Sequence, residues 1–128
     1  MIDAKELRIG NWLIANNAHD KNLKYGQVTH VFMAESGGYT VDYHYPGSWF
    51  DPIPLTPEIL MKCEFGFSYR TVFHDNSGYD HYCKAGRFRV VIYENGECEY
   101  DKFTRFKYLH QLQNLYYAIT QTELNYKP

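Results

Sequence analysis

Arg87-Phe-Arg-Val-Val-Ile-Tyr-Glu-Asn-Gly-Glu-Cys-Glu-Tyr-Asp-Lys-Phe103 is the stretch on which the fold of this chain turns. Residues 87–93 and 97–103 alternate as strands do, and Asn95-Gly96 stands between them as a hairpin signal. A two-residue turn at Asn95-Gly96 would set Ile92 opposite Glu99 and Val90 opposite Asp101. A three-residue loop over Glu94-Asn95-Gly96, with Gly96 left-handed, sets Ile92 opposite Cys98, Val90 opposite Tyr100 and Arg89 opposite Asp101. Only the second register keeps apolar residues on one face and charges on the other, so it is the one the residues select. Phe88, Val90, Ile92, Cys98 and Tyr100 then form an apolar face awaiting a cover.

The segment that follows supplies a candidate cover. Tyr108, Leu112, Leu115, Tyr116 and Ile119 recur at helical spacing over residues 107–120, which predicts an amphipathic helix lying on that face. Upstream, residues 67–74 and 79–84 read as two more strands of the same meander. Before them, Asp51-Pro-Ile-Pro-Leu55 must be extended. Thr56 is then a good N-cap, with Pro57 at the first helical position and Glu58 favoured by the helix dipole, and a short helix over 57–63 follows. The first fifty residues read as a helical turn over 4–7 behind Asp3, short strands at 12–15, 27–33, 39–45 and 48–50, a polar loop at 16–24, and turns at Gly37-Gly38 and Pro46-Gly47. The expected fold is α+β in a single domain, 1–128. A small antiparallel, barrel-like (SH3-like) sheet (1–50) leads through a proline hinge and short helix (51–66) to an antiparallel meander (67–104). The C-terminal helix (107–120) packs on that meander, and the tail from Asn125 is expected to fray.

The bulk composition narrows the function classes. The chain has 128 residues, a net charge of −2 and 45% hydrophobic residues, as expected of one ordinary globular domain. A sequence-independent nucleic-acid binder needs a basic excess that is missing here, although Arg87 and Arg89 share a strand face. No apolar run is long enough to span a bilayer, and the N-terminus lacks the apolar core of a signal peptide. The three cysteines, Cys63, Cys83 and Cys98, form no CxxC pair and read as reduced thiols, so a cytoplasmic location is expected. The 13 tyrosines, with 8 phenylalanines and 2 tryptophans, give 18% aromatic residues, which suits half-buried strands and also a binding surface.

Candidate sites are few. His74, His81 and Cys83 lie across one predicted hairpin and are the nearest thing to a zinc ligand set, but their spacing fits no familiar zinc pattern. The same hairpin holds the only adjacent thiol–imidazole pair; Cys63 and Cys98 fall at core positions where thiols are inert. Glu97, Glu99 and Asp101 face Arg87 and Arg89 as a solvated ion-pair ladder. No GxSxG, Walker A, GxGxxG or HExxH motif occurs. Tyr43, Tyr45 and Trp49 around Pro46-Gly47 suggest a stacking platform. His110, Gln113, Asn114 and Tyr117 form an amide-rich flank of the C-terminal helix, a surface suited to hydrogen bonding across an interface and to homodimerisation.

Glu6-Leu-Arg-Ile-Gly-Asn-Trp12, Pro52-Ile-Pro-Leu-Thr-Pro-Glu-Ile-Leu60 and Tyr108-Leu-His-Gln-Leu-Gln-Asn-Leu-Tyr116 are together similar to stretches found in that order in a family of small uncharacterised proteins. Gut bacteria, their phages and mobile elements encode that family. This chain departs from it at Cys63-Glu-Phe-Gly-Phe67, where relatives place Gly-Phe directly after the helix. It departs again at Gln121, where relatives place the glycine that stops the last helix. The resemblance implies a context, a phage or mobile-element accessory protein, and no chemistry. The expected function is non-enzymatic binding of a host protein or a small nucleotide-like ligand, with no cofactor and with the countering of host defence as one version; the alternative is a metal-dependent or thiol enzyme centred on His74, His81 and Cys83.

Overall fold

The computed structural model describes residues 2, 6–15, 25–28, 31–33, 39–41, 45–46 and 50–127. The chain divides into two compact units, each drawn from separate parts of the sequence. The first takes Met1–Ile53 and Tyr108–Glu123, and the second takes Pro54–Lys107 and Leu124–Pro128. Both are built from antiparallel strands with one helix, an α+β architecture.

The first unit holds β1 (Trp12–Ala15), β2 (Tyr25–Gln27), β3 (Val31–Met33), β4 (Tyr39–Val41), β5 (Tyr45–Pro46) and β6 (Phe50–Asp51). They form two three-stranded ladders, β2-β1-β6 and β3-β4-β5. Among the described residues these ladders are open and do not close into a barrel, which corrects the barrel-like expectation for 1–50 on that point. The segment 27–33, expected as one strand, divides between β2 and β3 in different sheets. The segment 39–45 is likewise a reversal, because Val41 pairs with Tyr45 and Thr40 with Pro46. Proline lacks the N–H a central strand needs, and β5 is an edge strand, where that loss is tolerated. The predicted loop 16–24, the turn at Gly37-Gly38, Gly47–Trp49 and Asp3–Lys5 lie outside the described residues.

The second unit starts with α1 (Pro57–Lys62). Thr56 is its N-cap, extended at φ −134°, and its side chain accepts from the Ile59 N–H at 3.2 Å. Strands β7 (Gly66–Val72), β8 (Gly78–Lys84), β9 (Phe88–Tyr93), β10 (Cys98–Tyr100) and β11 (Thr104–Phe106) then form one sheet in the order β11-β10-β9-β8-β7. The β9–β10 hairpin has the three-residue loop: Gly96 sits at φ 87°, the Tyr93 N–H donates to the Glu97 carbonyl, and Ile92 pairs with Cys98. That ladder ends at Glu99 opposite Val91, so Val90–Tyr100 and Arg89–Asp101 do not continue it as strand pairs. Instead Asp101 and Lys102 both turn left-handed, at φ 57° and 76°, and the Asp101 carboxylate accepts from the Phe103 and Thr104 N–H groups. The expected strand 97–103 is thus a strand followed by a tight turn that leads into β11.

One face of this sheet is apolar and closed. Tyr82, Phe88, Val90, Ile92, Cys98 and Phe106 are buried on it, and Leu55, Leu60, Cys63 and Phe65 complete the core of the unit. The tail, expected to fray, returns to this unit with Leu124 and Tyr126 buried, and Asn125 donates to Glu64 at 3.2 Å.

Helix α2 (Leu109–Thr120) groups with the first unit, whereas the sequence places it with the meander. Its buried residues are Leu109, His110, Leu112 and Gln113, while Ile119 of the predicted stripe is 47% exposed. The helix ends at Gln121, left-handed at φ 58°, whose N–H donates to the Tyr117 carbonyl at 2.8 Å. The helix stop therefore operates with a side chain in place of glycine. An L-residue in that conformation is strained by about 1–2 kcal/mol, part of which glycine returns as chain entropy. Gln121→Gly is expected to stabilise the protein by about 0.5–1 kcal/mol, read as a higher midpoint in urea unfolding.

Candidate functional site

The amide-rich flank of α2 turns out to be an internal clamp on residues 6–12. The Gln113 carbonyl oxygen accepts from the Trp12 N–H at 2.9 Å, and its amide nitrogen donates to the Gly10 carbonyl at 3.0 Å. Asn114 accepts from the Asn11 side chain at 2.8 Å and from Arg8 Nε at 3.2 Å, and donates to the Glu6 carbonyl at 2.7 Å. Arg8 also pairs with Glu123 and lies over the Tyr117 ring, 4.5 Å from its centroid. Gly10, at φ 101°, lets the loop turn so that its N–H reaches the Val28 carbonyl. Of the four flank residues named from the sequence, Gln113, Asn114 and Tyr117 are thus engaged by the chain itself.

His110 differs from them. It is 1% exposed, and among the described residues neither ring nitrogen has a hydrogen-bond partner; the Glu6 carboxylate lies 3.8 Å from Nε2. Burial pushes the imidazole below its ordinary pKa, against the pull of Glu6. Among the aromatic candidates, Tyr43 and Trp49 lie outside the described residues, and Tyr45 is described only as backbone in β5.

The hairpin β7–β8 separates the suggested metal ligands. His81 pairs with Tyr69, whereas His74 sits in the turn beyond Val72, so the expected approach of His74 to His81 does not occur. Among the described residues no group of three or more His, Cys, Asp or Glu side chains is placed to hold a metal ion. Cys63 and Cys98 are buried and their thiols are pushed up to about 12 by burial, which leaves them unreactive. Cys83 shares a face with His81, but the imidazole Nε2 bonds to the Thr71 hydroxyl, at 2.9 Å.

What the hairpin does assemble is an aromatic surface on the open face of the second sheet. Register places Tyr69 and Thr71 on β7, Tyr79, His81 and Cys83 on β8, Arg89, Val91 and Tyr93 on β9, and Glu99 on β10 side by side. The Tyr69 ring stacks on His81 with centroids 3.8 Å apart and planes 16° from parallel. Tyr79 lies 5.0 Å from His81 and 5.1 Å from Tyr93, and Phe73 lies 5.7 Å from Tyr79. Burial lowers the His81 pKa, and the Arg89 guanidinium adds to that effect while Asp80 opposes it, so the ring is neutral at pH 7.

Two shallow hollows flank this core. One, of about 180 Å³, is lined by Tyr79, His81, Arg89, Val91, Tyr93, Glu99, Asp101 and Lys102. The other, of about 120 Å³, is lined by Ser68, Tyr69, His81, Tyr82, Cys83 and Arg89. His81 and Arg89 border both. The carboxylates beside the larger hollow are engaged: Glu99 accepts from the Tyr93 hydroxyl at 3.0 Å and pairs with Arg105, and Asp101 caps its own turn. Glu97 pairs with Arg105 and Lys107, so the ion-pair ladder forms with the β11 side rather than with Arg87 and Arg89. Arg89 has no ion pair or hydrogen bond among the described residues. An exposed cation beside stacked rings can pair with an anion while the rings cover a flat apolar group. The sequence marks His81 only as a metal ligand or a thiol partner, and Tyr69 not at all. The bulge between Phe67 and Tyr69 shifts the alternation that would have placed Tyr69.

Comparison with protein-family models, curated proteins and solved structures finds no match to this chain. Among the described residues no helix is long and apolar enough to cross a membrane.

The clamp and the buried imidazole lead to separate stability effects. Asn114→Ala removes the Asn114 partner of the Asn11 amide nitrogen, of Arg8 Nε and of the Glu6 carbonyl and is expected to cost about 1–3 kcal/mol, measured by urea unfolding. His110 is neutral when folded, whereas in the unfolded chain it gains a proton below about pH 6.5. Its contribution is therefore intact above that value and falls as the pH drops from there through the lowered folded pKa. His110→Leu is expected to flatten the loss of stability between pH 7 and 5 by about 1 kcal/mol, checked by thermal melts across that range.

Proposed function

We propose that this chain is a non-enzymatic binding protein whose open sheet face holds a small, flat, anionic ligand of nucleotide type. The observation that carries this reading is Arg89, an exposed guanidinium with no carboxylate partner among the described residues, beside the Tyr69–His81 stack. A base laid on the aromatic surface places its phosphate within reach of Arg89, and the Thr71-bound imidazole gives the ring beneath it a fixed orientation. The hollows favour a small molecule over a polynucleotide: Glu97, Glu99 and Asp101 flank the face and repel an extended chain of phosphates, in keeping with the net charge of −2.

The resemblance to small proteins of gut bacteria, phages and mobile elements supports an accessory role in that setting. Sequestering a host nucleotide signal is the version of such a role that fits an aromatic face whose Arg89 has no carboxylate partner among the described residues. The residues behind the resemblance at 6–12 and 108–116 include the clamp, so they mark a shared framework rather than the ligand surface.

Titration of the labelled protein with nucleoside monophosphates, cyclic dinucleotides, inorganic phosphate and adenosine, followed by NMR, tests the proposal. Nucleotides are expected to shift the Tyr69, His81 and Arg89 signals, and phosphate or adenosine alone to bind more weakly. Arg89→Ala is expected to weaken nucleotide binding by about tenfold to a hundredfold, the range of one charge-assisted hydrogen bond. The absence of shifts on this face with every nucleotide at millimolar concentration would overturn it.

A further inference from the structure

Strand β7 is an edge of the five-stranded sheet, and it carries few of the devices that keep edges from pairing. It runs for seven residues without proline or lysine, and its only charge, Arg70, is drawn to Asp80 at 2.9 Å and Glu94 at 2.6 Å within the same sheet. Tyr69 and Val72 are each 57% exposed and Phe73, just beyond the strand, is 51% exposed. The bulge between Phe67 and Tyr69 disturbs only the first part of the strand, which leaves 69–73 regular.

Backbone polarity shows which groups of this edge have no partner among the described residues. The Phe73 N–H donates inward, to the Ser77 carbonyl at 2.7 Å. Alternation along an antiparallel strand then directs Thr71 and Tyr69 inward toward β8, and Val72 and Arg70 outward. An added strand would bond to the outward groups of residues 70 and 72.

We infer that β7 pairs antiparallel with β7 of a second copy of this chain, about a two-fold axis at Thr71. The strand itself points to a second copy as the occupant, because it is complementary to itself in this register. Each Arg70 lies opposite Val72 of the other copy and exchanges both backbone hydrogen bonds with it. Each Tyr69 lies opposite Phe73 of the other copy, an aromatic cross-strand pair that covers two exposed rings. The neighbouring registers are poorer: an axis at Arg70 sets two guanidinium-bearing residues against each other, and an axis at Tyr69 runs the pairing into the bulge at Ser68. Symmetric pairing of this kind is closed, so it ends at a dimer of two sheets joined edge to edge.

The dimer does not depend on the ligand reading, but it bears on the same face. Phe73 of the second copy extends the row of rings that begins at Tyr69 and His81, so the open face gains an aromatic border from its partner. The contact is short, and a dissociation constant of roughly 10–100 μM is expected, at the weak end for specific interfaces.

Sedimentation equilibrium of the full chain from about 5 to about 500 μM tests self-association directly. The wild-type chain is expected to shift from monomer to dimer over this range. Val72→Lys places an ammonium opposite Arg70 across the axis, at a position where the monomer is open to solvent, and is expected to stay monomeric with an unchanged melting temperature. Register is tested by oxidation in a Cys83→Ser background. Thr71→Cys puts two thiols face to face on the axis, at a Cα separation that a disulfide spans, whereas Tyr69→Cys separates them by several residues. Rapid cross-linking of the first and none of the second is expected. A wild-type chain that stays monomeric throughout, a Val72→Lys dimer as tight as wild type, or equal cross-linking of the two cysteine variants would each overturn the proposal.

Discussion

Two side-chain amides hold the first unit in its form. A loop such as residues 6–12 carries backbone donors and acceptors that no strand partner satisfies, and a buried unpaired amide costs as much as a lost hydrogen bond or more. Gln113 and Asn114 meet that requirement from one turn of α2, each acting as donor and acceptor at once. The helix therefore has its rotation set by hydrogen bonding as well as by apolar burial. Gln113 and His110 go inward with Leu109 and Leu112, and Ile119 is left at the surface. Residues 6–12 and 108–116 are thus tied to each other by hydrogen bonds between polar groups of both segments.

The second unit solves a different problem with the same materials. Its sheet buries one face against apolar residues and leaves the other open, and the strict alternation of β8 and β9 sorts residues between them. Tyr82, Val90 and Ile92 go to the core, while Tyr79, His81, Arg89 and Tyr93 go to the open face. On this face the rings stack on one another and the carboxylates Glu97 and Glu99 pair with Arg105 and Lys107. The Arg89 guanidinium has no carboxylate partner among the described residues, and that imbalance makes the face a candidate for recognition.

Legibility in the sequence followed the strength of local chemistry. The Glu94–Gly96 loop was readable because glycine supplies the left-handed position and the two candidate registers differ in which residues share a face. Thr56 and Pro57 marked the start of α1 by the same kind of local rule. The turn at Asp101 and Lys102 was not readable, since both adopt positive φ without glycine or asparagine to announce it. The helix face was misjudged because a polarity pattern counts glutamine and histidine as outward, whereas here the loop that needs hydrogen bonds comes from a hundred residues earlier. The candidate site was half legible: His81 was marked for another chemistry, and Tyr69 was hidden by the bulge at its strand's start.

By itself the sequence determined the α+β class, the capped short helix, the hairpin register and the inert character of Cys63 and Cys98, all of which rest on interactions between near neighbours or on simple burial. Only the tertiary structure decided that α2 belongs with the N-terminal segment, that the tail returns to the second unit, and that Tyr69, His81 and Arg89 share one open face. Those outcomes depend on which distant backbone groups lack partners and on how strands far apart in the chain align. Neither quantity is carried by the spacing of residues along it.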